Sequence, residues 1–431
     1  MSSDQAQRMS STVALADELR YGFWDRRALH AVARTLPFMK ILNEQQGELE
    51  FFDSDSNLSV QVTLRHPAAL RRILLGGSLG AAEAYIRGDW VCSNLTNLIR
   101  IFIRNHLTAD QLDGWLAWAM NWGNRLLHGW RRNSVRNSQK NIAAHYDLGE
   151  DFFRLWLDPT LSYSSAIFRQ PEATLEQASR VKLDVVCHKL NLGPADRLLE
   201  IGCGWGALAV HAAEQTGCQV TATTISADQY RVATQRATES SAAGRLNIVQ
   251  SDYRELEGRY DKLVSIEMIE AVGHRYYDDY FRKCGELLTE RGTFLMQAII
   301  IPESREPAYR KSVDFIQRYI FPGGCLPSLS ALLTSASKVG DLRLVHVEDF
   351  TLDYAVTVAR WKETFLARLN EVRQLGFSEE FLRTWTYYLC YCEALFAERH
   401  ISLLQIEWAK PAAPERSRAQ PEASTSEGIQ R

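Results

Sequence analysis

Glu200, Gly202, Gly204 and Gly206 stand at alternate positions in LLEIGCGWGALA, residues 198–209. The run before them is apolar, and the run after them, Ala207-Leu208-Ala209, favours helix. The pattern is strand, tight turn, helix. Glycine suits a turn whose backbone takes positive φ or approaches a ligand closely. The helix start beyond the turn offers unpaired N–H groups. Such a stretch is a cradle for a small molecule at the carboxyl end of a buried strand. The plain alternative is a glycine turn with no ligand.

Two ligand classes use this cradle. A dinucleotide loop wants G-x-G-x-x-G or a closing Ala, which Ala207 supplies, and an acid about 20 residues on for the ribose. Here the next strand, residues 219–223, continues Thr224-Ile225-Ser226 with no Asp or Glu at its end. The E-x-G-x-G-x-G spacing resembles instead the S-adenosylmethionine loop of seven-stranded methyltransferases.

The elements that must position this loop follow from the rest of the chain. At 431 residues there is room for two or three domains. A hydrophobic content of 46% supplies ample core, and a net charge of −3 argues against a general nucleic-acid binder. The 8 cysteines include no C-x-x-C pair and sit beside no His-rich cluster, which favours reduced thiols over disulfides or a metal site. No apolar run reaches membrane-spanning length, and the polar start MSSDQAQRMSS is not a secretory signal.

Residues 15–107 read as a small α+β unit, with a hairpin over 48–64 that turns at 53–57. Residues 112–140 carry Trp115, Trp118, Trp122 and Trp130 among Arg125, His128, Arg131, Arg132, Arg136 and Lys140. Two readings stand: a membrane-interface segment, or a helix packed on the next domain that ends in a basic linker. The boundary falls at 138/139. It divides an accessory domain, 1–138, from a catalytic domain, 139–410; a polar tail, 411–431, is expected to be disordered. Strands are expected at 197–201, 219–223, 247–250, 262–266 and 292–301, with two late ones at 342–351 and 400–408. Helical patterns lie between them, so the fold class is α/β: a doubly wound, seven-stranded sheet. An insert over 302–339 and two long helices, 356–375 and 379–398, are expected to cap its carboxyl edge.

From residue 141 onward the chain resembles the cyclopropane-fatty-acyl-phospholipid synthases and the mycolic-acid-modifying methyltransferases. The resemblance rests on HYDLGEDFF (145–153), LSYSSAIF (161–168), LEIGCGWGALA (199–209), Thr224-Ile225-Ser226 with Gln229, and SIEMIEAVGH (265–274). It rests also on YIFPGGCLPS (319–328), Asp353-Tyr354 and YYLCYCEALF (387–396). Leu79-Gly80 through Gly88-Asp89-Trp90 looks like the accessory domain of the longer synthases.

The resemblance implies a class I methyltransferase fold with helical cap insertions. It implies transfer of a methyl group from S-adenosylmethionine to the double bond of an unsaturated phospholipid acyl chain, closing a cyclopropane. Methyl-branched or methylenated chains, and N-methylation of a small amine, are the alternatives. The partner would be unsaturated phospholipid in a bilayer, the setting the inner membrane face in the cytoplasm, and a homodimer is left open. No metal or nucleic acid is expected.

Residue by residue, the resemblance places the donor against Leu198, Glu200, Gly202, Gly204, Gly206, Thr224 and Gln229. Tyr163 and Ser164 would touch its sulfonium side, and Asp252, Tyr253 and Arg254 would flank adenine. Asp252 also reads simply as a turn residue at a strand end. Glu270 would orient a base or offset a cation, with a helix-dipole acid as the other reading. Tyr354 would face the cation. Cys392 matches a cysteine often assigned to the site, although Cys390 and Cys392 also read as inert buried thiols. Relatives hold bicarbonate as the closing base, and Glu270, Ile299 and Tyr354 match its ligands. Two ligands differ: Ser165 replaces a cysteine and Gln297 a histidine. Weaker bicarbonate binding, or none, is expected, with Glu270 and Tyr354 carrying more of the anion's positioning.

Overall fold

The computed structural model describes residues 21–105, 148–339 and 341–414. The domain boundary at 138/139, the Trp/Arg stretch 112–140, His145 and residues 415–431 lie outside them.

Helix α1, Phe23–Thr35, opens the described chain. Strands β1 (Met39–Asn43), β2 (Glu48–Phe52), β3 (Ser59–Leu64) and β4 (Trp90–Cys92) form an antiparallel sheet in the order β1-β2-β3-β4. The hairpin read from alternation over 48–64 is the β2–β3 pair, with its reversal at 53–58. Helices α2 (Ala68–Arg87) and α3 (Leu95–Arg104) complete this α+β unit. Gly77 breaks the course of α2 at φ 57°, ψ −140°, a conformation that glycine takes without steric penalty.

The second sheet has seven strands: β5 (Arg197–Ile201), β6 (Gln219–Thr224), β7 (Leu246–Gln250), β8 (Tyr260–Ile266), β9 (Leu288–Ile300), β10 (Arg343–Asp349) and β11 (Ser402–Ala409). Their order is β10-β11-β9-β8-β5-β6-β7. β5 to β9 run parallel, while β11 pairs antiparallel with both β9 and β10. Alternate residues of β5 face opposite sides: Leu199 and Ile201 enter one core, Leu198 the other. The chain leaves β5 toward β6 on one side while β8 lies on the other. That crevice at the carboxyl ends is where open α/β sheets bind ligands.

Helices α4 (Glu150–Arg154), α5 (Leu175–Lys189), α6 (Ala207–Thr216), α7 (Ala227–Glu239), α8 (Tyr277–Leu287) and α9 (Leu329–Val339) pack around the sheet. The late strands and helices are shifted from the expected bounds. Asp349 accepts a hydrogen bond from the Thr351 N–H at 2.7 Å, so the chain turns there and helix α10 runs Thr351–Ala367. Asp353 and Tyr354 are therefore helical. Arg368, at φ −110°, separates α10 from the short α11, Leu369–Gln374. Helix α12, Glu379–Ala397, follows, and β11 begins only at Ser402.

Helix α12 joins the two sheets' domains. Glu393 accepts from Thr96 Oγ1 at 2.7 Å, and Lys362 bonds both residues. Glu398 takes Arg100 Nε at 2.6 Å and Arg104 Nε at 2.8 Å.

Candidate active site

Each glycine of the 202–206 turn has positive φ, at 84°, 52° and 86°. Their roles differ. A Cβ on Gly206 would sit 2.9 Å from Ala233 Cβ, so Gly206 lets the turn pack on α7. A Cβ on Gly202 would come 2.8 Å from Met268. A Cβ on Gly204 would meet no described protein atom within 4 Å. Gly204 keeps space clear beside a cavity of about 360 Å³ that opens along the carboxyl ends of β5, β6 and β8.

Most of the expected donor residues line that cavity: Tyr163, Ser164, Glu200, Gly202, Gly204, Thr224, Gln229, Asp252, Tyr253 and Arg254. Leu198 and Gly206 do not. Leu198 is fully buried in the α5–α6 core: it faces the same side as Glu200 but lies two residues back along β5, away from the strand end where the cavity opens. Thr224 donates to Gln229 Oε1 at 2.7 Å, and Asp252 is clasped by Arg254 through Nε at 2.8 Å and Nη2 at 2.7 Å.

Glu200 shares its strand face with Leu198 and ends beside Lys182, a lysine on the buried side of α5. Lys182 donates to Ser164 Oγ at 2.9 Å. Burial pushes the Glu200 carboxyl up to about 7 and the Lys182 ammonium below its ordinary range. Glu200 Oε2 has no hydrogen-bond partner among the described residues. An orphaned acceptor beside a glycine turn and open backbone space fit the amino group and chain of S-adenosylmethionine. Lys182 was not foreseen, although its place among buried Ala178, Ser179, Leu183 and Val186 on α5 marks it.

The far end of the cavity is aromatic. Phe321, Tyr354, Trp361, Tyr388, Tyr391 and Phe396 line it. Tyr354 stacks on Phe396 with ring centroids 4.2 Å apart, and Tyr163 and Tyr388 share a 2.6 Å hydrogen bond. Tyr319 and Trp385 do not reach the cavity; Tyr319 is partly exposed and donates to Glu83 of the N-terminal unit at 2.7 Å. Cys392 lines the cavity, but burial raises its thiol far above the ordinary range, so it stays protonated.

The expected anion site is built differently. Glu267, directly after β8, has a non-glycine positive φ of 49° that turns its side chain inward. Its carboxylate is half-buried at the cavity wall. Oε1 accepts from the Ser165 backbone N–H at 3.0 Å and from Gln297 Nε2 at 2.8 Å. Oε2 accepts from the Tyr354 phenol at 2.5 Å. Ser165 and Gln297 do not line the cavity, because Glu267 stands between them and it. The Ser165 hydroxyl points elsewhere, donating to Ala166 O at 2.9 Å.

The direction of the Gln297 amide is fixed by its neighbours. Lys189 can only donate, and it donates to Gln405 Oε1 at 2.7 Å. Gln405 then donates to Gln297 Oε1 at 2.9 Å, which leaves the Gln297 N–H for Glu267.

Glu270 lies on the next turn. Its Oε1 accepts from the Ile299 N–H at 2.5 Å, and its Oε2 has no partner among the described residues. Burial, then the neighbouring Glu267, pushes the Glu270 carboxyl up to about 8. Glu267 is raised by burial too, but three donors and Lys182 support its charge. Glu267 has three donors and Glu270 one, so of the pair Glu267 is the better supported as a carboxylate and Glu270 the one pushed toward its protonated form. Bicarbonate does not fit here, since Ser165, Gln297 and Tyr354 are already engaged by Glu267.

Comparison with known proteins places this site in a known context. Residues 133–406 match the family model described as mycolic acid cyclopropane synthetase. Tuberculostearic acid methyltransferase UfaA1 of Mycobacterium tuberculosis is 35% identical over 352 residues, covering 79% of this chain and 81% of that protein. The cyclopropane-fatty-acyl-phospholipid synthase of Escherichia coli is 35% identical over 354 residues, 81% of this chain and 87% of that one. A solved structure of mycolic acid cyclopropane synthase CmaA1, complexed with SAH and CTAB, aligns with TM-score 0.60 and 32% identity. It covers 63% of this chain and 98% of CmaA1.

Proposed function

The chain belongs to the mycolic acid cyclopropane synthetase family and is a methyltransferase using S-adenosylmethionine; from that premise we propose that it methylates the double bond of an unsaturated phospholipid acyl chain to give a cyclopropane. The observation that carries this reading is one continuous cavity, with the glycine turn at one end and the aromatic wall of Tyr354, Trp361 and Phe396 at the other.

The donor supplies a methyl carbon on a positively charged sulfur. The protein must do the rest. An alkene is a weak nucleophile, so its attack needs a site that holds the two carbons together and shuts out water. Gly204 leaves room for the donor, Glu200 accepts from its amino group, and Tyr163 and Ser164 hold the reacting end. Attack leaves a cation on the acyl chain. Tyr354 and Trp361 offer ring faces to it, and the charged Glu267 offsets it.

The enzyme meets its lipid at a bilayer surface, on this reading. Among the described residues no helix is long and apolar enough to cross a membrane. The Trp/Arg stretch over residues 115–140 would hold the protein to anionic headgroups, each cation contributing roughly 1 kcal/mol before screening. Flotation with anionic vesicles should weaken as salt rises; equal binding to neutral vesicles would remove the membrane role. The activity itself is tested by incubating purified protein and donor with vesicles of monounsaturated phospholipid. A cyclopropane acyl product in the lipid supports the proposal, and unchanged lipid with donor turnover on an amine defeats it.

A further inference from the structure

Resting on that reading, we propose that Glu267 is the base that closes the ring, standing in the place where relatives hold a bicarbonate ion. Three of the five positions expected around such an ion donate to one carboxylate: the Ser165 N–H at 3.0 Å, Gln297 Nε2 at 2.8 Å and the Tyr354 phenol at 2.5 Å, while the Ile299 N–H serves Glu270. An anion bound there from solution would have to displace Glu267 from all three. The two departures at Ser165 and Gln297 then have one explanation. Ser165 reaches Glu267 only through its backbone N–H, so no ligating side chain is needed at that position. Gln297 is a neutral donor whose amide is held in direction by Gln405 and, behind it, Lys189. A resident carboxylate requires a donor at that point and no titrating group.

The chemistry balances without a further reactant. Once the alkene's π pair has bonded to the methyl carbon, the other alkene carbon is left with an empty orbital. The electron pair of one methyl C–H bond fills that orbital and closes the three-membered ring. The proton passes to Glu267 Oε2, the oxygen with one donor and therefore a spare lone pair. Glu267 releases it to solvent after the lipid leaves. Glu267 faces Lys182, Glu270, Tyr354 and Tyr388 as titratable neighbours. Three donors converge on Glu267 and one on Glu270, so a single negative charge on the pair is best held by Glu267.

The test uses Glu267→Gly, which suits the positive φ at that position and so should fold. Emptying the site leaves three donors facing a space. Cofactor-free Glu267→Gly should bind 13C-labelled bicarbonate in a carbon NMR titration, whereas the natural protein should show no binding. In carbonate-depleted buffer the variant should form cyclopropane about 100-fold more slowly. Added bicarbonate should restore much of that loss and leave the natural protein unchanged. Glu267→Ala, which lacks the carboxylate in the same way, should behave alike. Dependence of the natural protein on bicarbonate, or full ring closure by both variants in depleted buffer, would overturn the proposal. If the natural protein makes no lipid product at all, the substrate reading fails, while the bicarbonate titration still decides the role of the Glu267 site.

Discussion

The Tyr354 phenol donates a 2.5 Å hydrogen bond to Glu267 Oε2, and its ring stacks on Phe396 at 4.2 Å. One side chain therefore both supports the carboxylate and faces the acyl end of the cavity. Tyr354→Phe keeps the stack and deletes the donor. A carboxylate that loses a hydrogen bond to its charged form titrates higher. Since Glu267 acts deprotonated, turnover falls as pH falls through its pKa. The acid limb of the rate profile should move up by about one pH unit in Tyr354→Phe. An unmoved limb would show that the bond does not tune Glu267.

Ser165→Cys combined with Gln297→His recreates the residues that relatives carry. With Glu267 still in place, bicarbonate should gain no effect on turnover. The cysteine should be silent by itself, because Ser165 works through its backbone N–H. Histidine at 297 should lower stability by roughly 1–3 kcal/mol, since Gln405 loses its acceptor in a buried strand pair. Chemical denaturation with and without bicarbonate measures both effects. A new bicarbonate stimulation in this double variant would contradict the placement of Glu267.

Gly204→Val tests the donor cradle. A Cβ at 204 meets no described protein atom within 4 Å, so the fold should survive with a backbone cost of about 1–2 kcal/mol for the positive φ of 52°. The added methyls enter the donor's space. Calorimetry should show donor affinity reduced by at least about tenfold, which corresponds to 1.4 kcal/mol. Unchanged affinity in the folded variant would move the donor elsewhere.

Glu270 makes a stability prediction. Its carboxyl is raised from 4.5 to about 8 by burial and by Glu267, so the folded state holds a proton that the unfolded chain releases. That contribution is fully present below pH 4.5 and is lost as pH rises through 8. Glu270→Gln lacks this loss. Its melting temperature relative to the natural protein should therefore rise between pH 5 and pH 8, by about 3 °C or more. A difference that stays flat with pH would mean Glu270 is ionised in the fold.

Much of this architecture is readable from residue order. The β5 run and the alternate glycines announce strand, turn and helix, and the spacing of apolar runs gives the sheet. The two antiparallel late strands needed the register of β9 against β11. The site was less legible. Glu267 and Glu270 both follow β8 in SIEMIEAVGH, and the strand-end argument applied to Glu270 applies equally to Glu267. What separates them is a positive φ at position 267, which no residue type there announces. The resemblance places Leu198 at the donor, but it lies two residues before Glu200 on β5, short of the strand end, and packs in the core. Ser165 and Gln297 read as isolated departures because the residue that joins them is 102 positions from one and 30 from the other.

The most direct test of the central claim uses donor carrying a fully deuterated methyl group and vesicles of monounsaturated phospholipid. Ring closure removes one deuteron from the transferred group, to Glu267 on this account. Mass spectrometry of the released acyl chains should find a cyclopropane that retains two of the three deuterons. Chains that retain all three would show that the methyl group is transferred intact, and ring closure with its base would be contradicted.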